Sequence, residues 1–281
     1  MRTGTFAGTV IALALIAGLV SACGANLRKP STAPPIALEL HSPDAPSFRV
    51  KINDLPVSLW LDLGDADPLR LQKEALDSIS AVPTGQTVKR WGMDGAYEEP
   101  TYTVPRIEIG TAVFTNVVAR LEPSSTGHRG SSSATGVLGT ALLKSFVVVL
   151  DYPLRRMLLL PPKDARIRDL CRGSVVPFSV RSPEFEGEAV ADVDTDVGRL
   201  SLWWDTGAQL TMVNQASSHA TGEVVSRRFV LGGRDFGPYP LGLVITDLPF
   251  DGFIGDDFFV MHRVCVDYPG RRVVVADGAA N

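Results

Sequence analysis

The chain has 281 residues, 45% hydrophobic and 21% charged, enough apolar side chains to form one large domain or two smaller lobes. Lysine and arginine number 27 against 31 aspartate and glutamate residues, a net charge of −4, with the two signs interspersed along the sequence. Because there is no basic face and no polybasic segment, we expect no nucleic-acid partner and no electrostatic attraction to a membrane surface.

The first 22 residues have the pattern of an export signal. Arg2 supplies positive charge, and an apolar run too short to span a membrane precedes Cys23. The letters VSAC resemble the lipobox of bacterial lipoproteins, which implies removal of residues 1–22 and lipidation of Cys23. An ordinary signal peptide with an incidental cysteine is the alternative. We expect residues 23–35 to tether the folded part to a membrane of the cell envelope, on the extracytoplasmic side, periplasmic in a Gram-negative cell.

Strand patterns dominate the first half. Alternation predicts a strand at residues 57–61 that ends in a turn at Asp62 and Gly64. Residues 69–79 form the best amphipathic helix pattern. Between residues 87 and 119, alternating segments predict a long hairpin with its tip at Asp94-Gly95, and apolar runs on either side of a DYP turn predict a final strand pair.

The second half repeats these signals. SLWLDLGD at residues 58–65 returns as SLWWDTGA at residues 201–208, and residues 136–160 align without a gap with residues 252–276, including a shared DYPxRR. The long hairpin is complete only in the first half. The repeat predicts two similar β-rich lobes, at residues 36–162 and 163–281.

Three cysteines and four histidines carry little further information. Once Cys23 is lipidated, Cys171 and Cys265 remain in an oxidising compartment, where either a disulfide or two separately buried thiols is plausible. The histidines show no ligand spacing with one another or with the cysteines. We therefore expect no metal site and no cofactor.

The repeated aspartate turn has a chemical consequence if the two lobes pack turn to turn. Asp62 and Asp205 would then lie together, and two carboxyl groups about 3 Å apart share one proton because both cannot ionise. One carboxylate can activate a water as general base while the other group donates a proton to the scissile carbonyl oxygen. This chemistry requires neither a nucleophilic side chain nor a metal.

These residues resemble those of a known family. WWDTGAQ at residues 203–209, followed by DGFIGDDFF at residues 251–259, resembles the aspartic peptidase pattern, most closely that of the bacterial retropepsin-like group. The resemblance extends over residues 57–275. It implies an all-β fold with two β-barrel-like lobes related by a pseudo-twofold axis, and it implies catalytic roles for Asp62 and Asp205. By the same resemblance the supporting loop residues are Gly64, Asp65, Thr206, Gly207 and Ala208, and the long hairpin, with Trp91 and Tyr97 near its tip, corresponds to the flap.

The first loop departs from the family pattern. In the family, a threonine hydroxyl of each loop bonds the backbone of the opposite loop, whereas here Leu63 has no hydroxyl. Asp65 stands where the second loop has Ala208. If ionised, it would raise the pKa of the pair, and if protonated, it would donate to Asp62. Two functions follow: a monomeric, envelope-anchored aspartic endopeptidase that cuts peptide or protein substrates, or a catalytically impaired relative that binds peptides or proteins by strand addition.

Overall fold

The computed structural model describes residues 34–41, 44–92, 95–122, 134–179, 189–218, 224–246 and 249–277. The predicted signal peptide, Cys23 and nearly all of the predicted tether lie outside these ranges. The first half contains β1 (Ile36–Ala37), β2 (Glu39–His41), β3 (Asp44–Ile52), β4 (Leu55–Leu61), β5 (Leu69–Leu71), α1 (Lys73–Ser78), β6 (Val82–Gly92), β7 (Gly95–Ile109), β8 (Ala112–Leu121), β9 (Gly136–Leu138), a 3-10 turn (Thr140–Leu142), β10 (Val147–Asp151) and β11 (Arg156–Leu160). The second half contains α2 (Ile167–Leu170), β12 (Gly173–Pro177), β13 (Val190–Thr195), β14 (Gly198–Trp204), β15 (Met212–Asn214), α3 (Gln215–Ser218), β16 (Val224–Ser226), β17 (Phe229–Leu231), β18 (Arg234–Asp235), β19 (Tyr239–Val244), β20 (Gly252–Ile254), α4 (Asp256–Phe259), β21 (Arg263–Asp267) and β22 (Arg272–Ala276).

The first lobe is a closed barrel. Its sheet has the strand order β2-β3-β4-β9-β5-β8-β7-β6, and a further pairing of β3 with β7 closes six of these strands. The strand β6 and the beginning of β7 continue past this closure as a hairpin, at the place where the sequence predicts the flap. The barrel thus presents the Asp62 turn, which follows β4, near the base of the hairpin.

The second lobe repeats the arrangement with shorter strands, in the order β16-β19-β15-β20-β14-β13-β17-β18. The parallel pairs β14–β20 and β15–β19 copy β4–β9 and β5–β8 of the first lobe. Parallel neighbours bring the carboxyl end of β14 beside the glycine-containing strand β20, as they do for β4 and β9. The predicted all-β fold with two similar lobes is therefore confirmed.

A six-stranded sheet joins the lobes, in the order β1-β11-β10-β21-β22-β12. The two central strands, β10 and β21, run antiparallel, with Val149 opposite Cys265. Every residue of β10 is buried, because one face packs on the main core and the other on a smaller apolar cluster around α2. Burial on both faces explains why this strand reads as an uninterrupted apolar run.

The predicted helix at residues 69–79 is wrong over its first part. Leu69 and Leu71 are buried while Arg70 between them is half-buried, an alternation that fits the strand β5 between β8 and β9. Only the segment from Lys73 onward is helical. Among the residues that the structure describes, no helix has the length and apolar character that crossing a membrane requires.

Candidate active site

Asp62 lies immediately after β4, in a turn supported by the neighbouring strand. Its backbone N–H donates to the carbonyl of Leu138 at 3.0 Å, which continues the parallel pairing of β4 with β9. The backbone N–H of Gly64 donates to Asp62 Oδ1 at 2.8 Å. These bonds fix the carboxyl at the barrel mouth.

Asp205 occupies the equivalent position after β14. Its N–H donates to the carbonyl of Ile254 at 3.0 Å, and its Oδ1 accepts hydrogen bonds from Gly207 N–H at 2.8 Å and Ala208 N–H at 3.2 Å. The carbonyl of Ala208 in turn accepts from the backbone N–H of Asp256 at 2.7 Å, which braces the turn against α4.

The two turns face each other closely. A Cβ atom on Gly64 would lie 2.4 Å from Asp205 Oδ1, and a Cβ atom on Gly207 would lie 2.8 Å from the carboxyl of Asp62. Only glycine therefore fits at either position, because real Cβ atoms do not approach this near. The carboxyl groups of Asp62 and Asp205 are close enough for each to influence the ionisation of the other.

Burial and proximity raise the pKa of both carboxyls. For Asp62, burial acts first and the charges of Asp205 and Asp65 add to it, while the nearby Arg70 opposes the rise. For Asp205, burial again raises the pKa, and the hydrogen bonds from Gly207 and from Asp62 hold it down. The two carboxyls therefore titrate as a pair that keeps one proton at a pH where isolated carboxyls would both be ionised.

Thr206 connects the loops of the two lobes. Its hydroxyl donates to the carbonyl of Leu61 at 2.8 Å and accepts from the backbone N–H of Leu63 at 3.0 Å, and the side chain is fully buried. Leu63 returns no side-chain bond, and its side chain is instead 2% exposed in the apolar core. The loops are thus joined by one threonine hydroxyl.

The sequence offers two roles for Asp65: an ionised group that raises the pKa of the pair, or a protonated group that donates to Asp62. Its contacts fit the first role. Its Oδ2 lies 2.6 Å from Arg70 Nε, and its Oδ1 accepts from the backbone N–H of Asp67 at 2.9 Å, so it is a paired carboxylate. Its charge does raise the pKa of both Asp62 and Asp205. It is not the hydrogen-bond donor to Asp62 that a protonated group would be.

Sequence reasoning missed a group of buried ion pairs beside this turn. Arg70 also lies 3.2 Å from Glu122, and on the next strand Arg120 pairs with Asp67 and with Glu99 of β7, the latter at 2.8 Å. Nothing in PLRLQ or VVARLEP distinguishes these residues, because alternation of charged with apolar residues is the ordinary pattern of a strand with one solvent-facing side. Arg120 links the active-site turn to the base of the hairpin.

The remaining predicted residues are placed as follows. Trp91 and Tyr97 belong to the hairpin, where Trp91 pairs with Ala96 and Arg90 with Tyr97, but their side chains lie outside the description. Cys171 and Cys265 are joined by a disulfide. Within the described ranges, no group of three or more histidine, cysteine, aspartate or glutamate residues is arranged to hold a metal ion.

Comparisons with known proteins bear on the fold. The sequence matches no protein-family profile and no curated protein. The structure is similar to that of the aspartic proteinase from Irpex lacteus, with a TM-score of 0.62 and 14% sequence identity, over 88% of this chain and 97% of that one. At this identity the likeness shows the fold alone: the two barrel-like lobes of a pepsin-like aspartic protease.

Proposed function

We propose that this chain is an aspartic endopeptidase of the bacterial cell envelope. The observation that carries the proposal is the close approach of Asp62 and Asp205, which lie on matching turns of the two lobes, each beside the glycine of the opposite turn. A chain that only bound peptides would need the cleft, but it would not need two facing carboxyls.

The geometry supports general acid–base hydrolysis. The proton on Asp62 is available to the scissile carbonyl oxygen, and the ionised Asp205 removes a proton from an attacking water. As the C–N bond of the tetrahedral intermediate breaks, Asp205 passes the water's proton to the leaving amine, and a hydroxyl of the intermediate returns its proton to Asp62, which restores the starting state of the pair. The backbone N–H groups of Gly207 and Ala208 hold Asp205 in its ionised form, because hydrogen bonds to a carboxylate favour the charged state.

The substrate class that fits is an extended peptide. The base of the β6–β7 hairpin is linked to the Asp62 turn through Arg120, and in this proposal the hairpin offers backbone groups to a peptide bound beside it, the mode of strand addition. Residues 1–22 as a lipoprotein signal and Cys23 as the lipidated residue complete the proposal, with the peptidase tethered outside the cytoplasm and acting as a monomer.

The test uses a soluble form of residues 24–281 with a diverse peptide library, from pH 3 to pH 8. Asp62→Asn and Asp205→Asn are each expected to reduce cleavage at least a thousandfold, since either change removes one partner of the acid–base pair. The matched control is Asp194→Asn, an exposed residue of β13 outside the cleft, which should cleave like the wild type.

Leu63 stands where the second loop has Thr206, and the missing hydroxyl favours the second candidate, a catalytically impaired protein that binds peptides or proteins. That candidate predicts no cleavage at any pH by a folded wild type, together with retained peptide binding that Asp62→Asn leaves unchanged. Cleavage that survives both aspartate substitutions would contradict the first candidate and point to a contaminating peptidase.

A further inference from the structure

The two aspartates of the pair are supported unequally. Asp205 accepts two backbone hydrogen bonds, from Gly207 and Ala208, whereas Asp62 accepts one, from Gly64. The backbone N–H of Asp65, which corresponds to that of Ala208, is directed at the carbonyl of Asp62 at 3.3 Å instead of at the carboxyl. On the open side of Asp62, at 4.0 Å from its Oδ2, lies the guanidinium of Arg70.

Arg70 is held in place from two directions. Its Nε lies 2.6 Å from Asp65 and 3.2 Å from Glu122, and its side chain is only 12% exposed. Asp65 belongs to the active-site turn and Glu122 follows β8, so the guanidinium is fixed to both the loop and the barrel wall. Such pairs cost much of their attraction in lost hydration, so a buried cluster of this kind is weak evidence for a role in stability.

The second lobe shows that the fold does not require these charges. Equivalent backbone hydrogen bonds align the two lobes: Gln72 N–H donates to Thr135 O in the first, and Asn214 N–H donates to Asp251 O in the second. Gln72 therefore corresponds to Asn214. Two residues earlier on each strand, Arg70 corresponds to Met212. Strand register then makes Val244 the counterpart of Glu122. With Ala208, the counterpart of Asp65, these residues pack on the apolar cluster around Trp203.

We propose that Arg70 is a positioning residue of the aspartate pair: its guanidinium, clamped by Asp65 and Glu122, supplies Asp62 with the second support that Asp205 receives from backbone. The inference rests on the proposed function. The charged groups that act on the pair from the packed elements are Asp65 of the turn, Arg70 of β5 and Asp256 of α4. Behind Arg70 and Asp65 lie the remaining charges of the cluster, Asp67, Glu99, Arg120 and Glu122.

The guanidinium acts on Asp62 through its position and its charge. A positive charge 4.0 Å away favours the ionised form, in opposition to burial and to Asp205 and Asp65. It therefore limits the rise in the pKa of Asp62 and sets the upper end of the pH range in which the pair keeps one proton. Arg70 also occupies space beside the carboxyl, which restricts its rotation.

The test compares Arg70→Met with Arg120→Met in the soluble form. Each substitution removes a buried arginine and leaves two buried carboxylates, Asp65 and Glu122 in one case and Asp67 and Glu99 in the other. We expect Arg70→Met to move the alkaline limb of the kcat profile upward by about one pH unit and Arg120→Met to leave it in place. The proposal would be overturned if the alkaline limb of Arg70→Met stayed at the wild-type pH, or if it moved by the same amount in both variants.

A second variant guards against loss of folding. Asp65→Ala, Arg70→Met and Glu122→Val together copy the second lobe and leave no orphaned charge, so the protein should fold. Asp65 raises the pKa of Asp62 and Arg70 lowers it, so the triple variant removes two opposing effects and its pH profile is not informative. The readout for this variant is kcat, which we expect to decrease about tenfold with KM unchanged. A kcat equal to that of the wild type would show that the cluster has no part in positioning.

The proposal can be tested even if the wild type cleaves no peptide, an outcome that would remove the proposed function. The ¹³C carboxyl resonance of Asp62 then reports its titration directly. A midpoint about one pH unit higher in Arg70→Met than in the wild type, with Arg120→Met unmoved, supports the role of Arg70. An unmoved midpoint in Arg70→Met overturns it.

Discussion

Thr206 and Leu63 are in contact where the two buried loops meet, and only Thr206 bonds to the opposite lobe with its side chain. The Thr206 hydroxyl donates to Leu61 O and accepts from Leu63 N–H. The second lobe therefore supplies the side-chain bonds between these two loops, although the fold repeats the loop in both lobes.

Removal of this hydroxyl should loosen the lobes. Thr206→Val leaves the buried N–H of Leu63 and the carbonyl of Leu61 without partners, at about 1–3 kcal/mol each. We expect a decrease of about 2–6 kcal/mol in the free energy of unfolding and at least a tenfold decrease in kcat/KM. Thr206→Ser keeps the hydroxyl and should stay within about 1 kcal/mol of the wild type. Urea unfolding and peptide cleavage measure the two effects, and equal values for the two variants would contradict this role.

Leu63→Thr tests whether the first loop is impaired. Leu63 is buried in the core, so its replacement should lower the free energy of unfolding by about 1–3 kcal/mol. We expect kcat to change by no more than about twofold, because the Thr206 hydroxyl already holds the loops together. A large gain in kcat would show instead that the natural protein is a weak catalyst, and would favour the peptide-binding candidate.

Asp256 and Asp257 are neighbours with opposite expected effects on stability. Burial raises the pKa of Asp256 to about 7 from 3.8, so the folded state binds more protons than the unfolded state between these values. The contribution of Asp256 is therefore most favourable below about pH 4 and is lost as the pH rises toward 7. Asp256→Asn should raise the melting temperature at pH 8 and change it little at pH 4.

Asp257 provides the matched comparison. Its Oδ1 accepts hydrogen bonds from the N–H and the hydroxyl of Thr211, both at 2.8 Å. Because Thr211 is fully buried, Asp257→Ala leaves its N–H without a partner and its hydroxyl with only the 3.4 Å contact to the Tyr239 hydroxyl, and the variant should be less stable at both pH values, by about 1–3 kcal/mol. Thermal unfolding at pH 4 and pH 8 distinguishes the variants, and a stabilising Asp257→Ala would refute the assignment.

The disulfide should contribute strongly to stability because it closes a long loop. Cys171 and Cys265 are 94 residues apart, and a loop of this length restricts the unfolded chain by about 4–5 kcal/mol in the chain-entropy account. We expect the double Cys→Ser variant to lose about that much free energy of unfolding. Addition of a reductant should then lower the midpoint of urea unfolding for the wild type and not for the variant.

The sequence predicts what its repeats encode. The aspartate turns, their glycines and the DYP strand pairs recur in both halves, so the repeat alone is enough to pair Asp62 with Asp205. The sequence does not place Arg70 at the site. Its partners are Asp65 of the turn and Glu122, which is 52 residues away, and Glu122 comes close to Arg70 only through the pairing of β5 with β8 in the barrel. The sequence pattern assigns β5 to a helix because a three-residue strand is too short to show the alternation that distinguishes a strand from the first turn of a helix.

The register of β10 and β21 has a consequence for how such a chain is assembled. Val149 faces Cys265, its own counterpart in the repeat, and the flanking pairs are related in the same way on either side. A strand that pairs with the copy of itself about a central residue forms an isologous contact, the kind that two identical subunits make around a twofold axis. The covalent linker therefore does not create this interface. The linker keeps the same two partners together, so the halves can differ in sequence. Among the described residues, the long hairpin and the ion pairs of Arg70 and Arg120 belong to the first half.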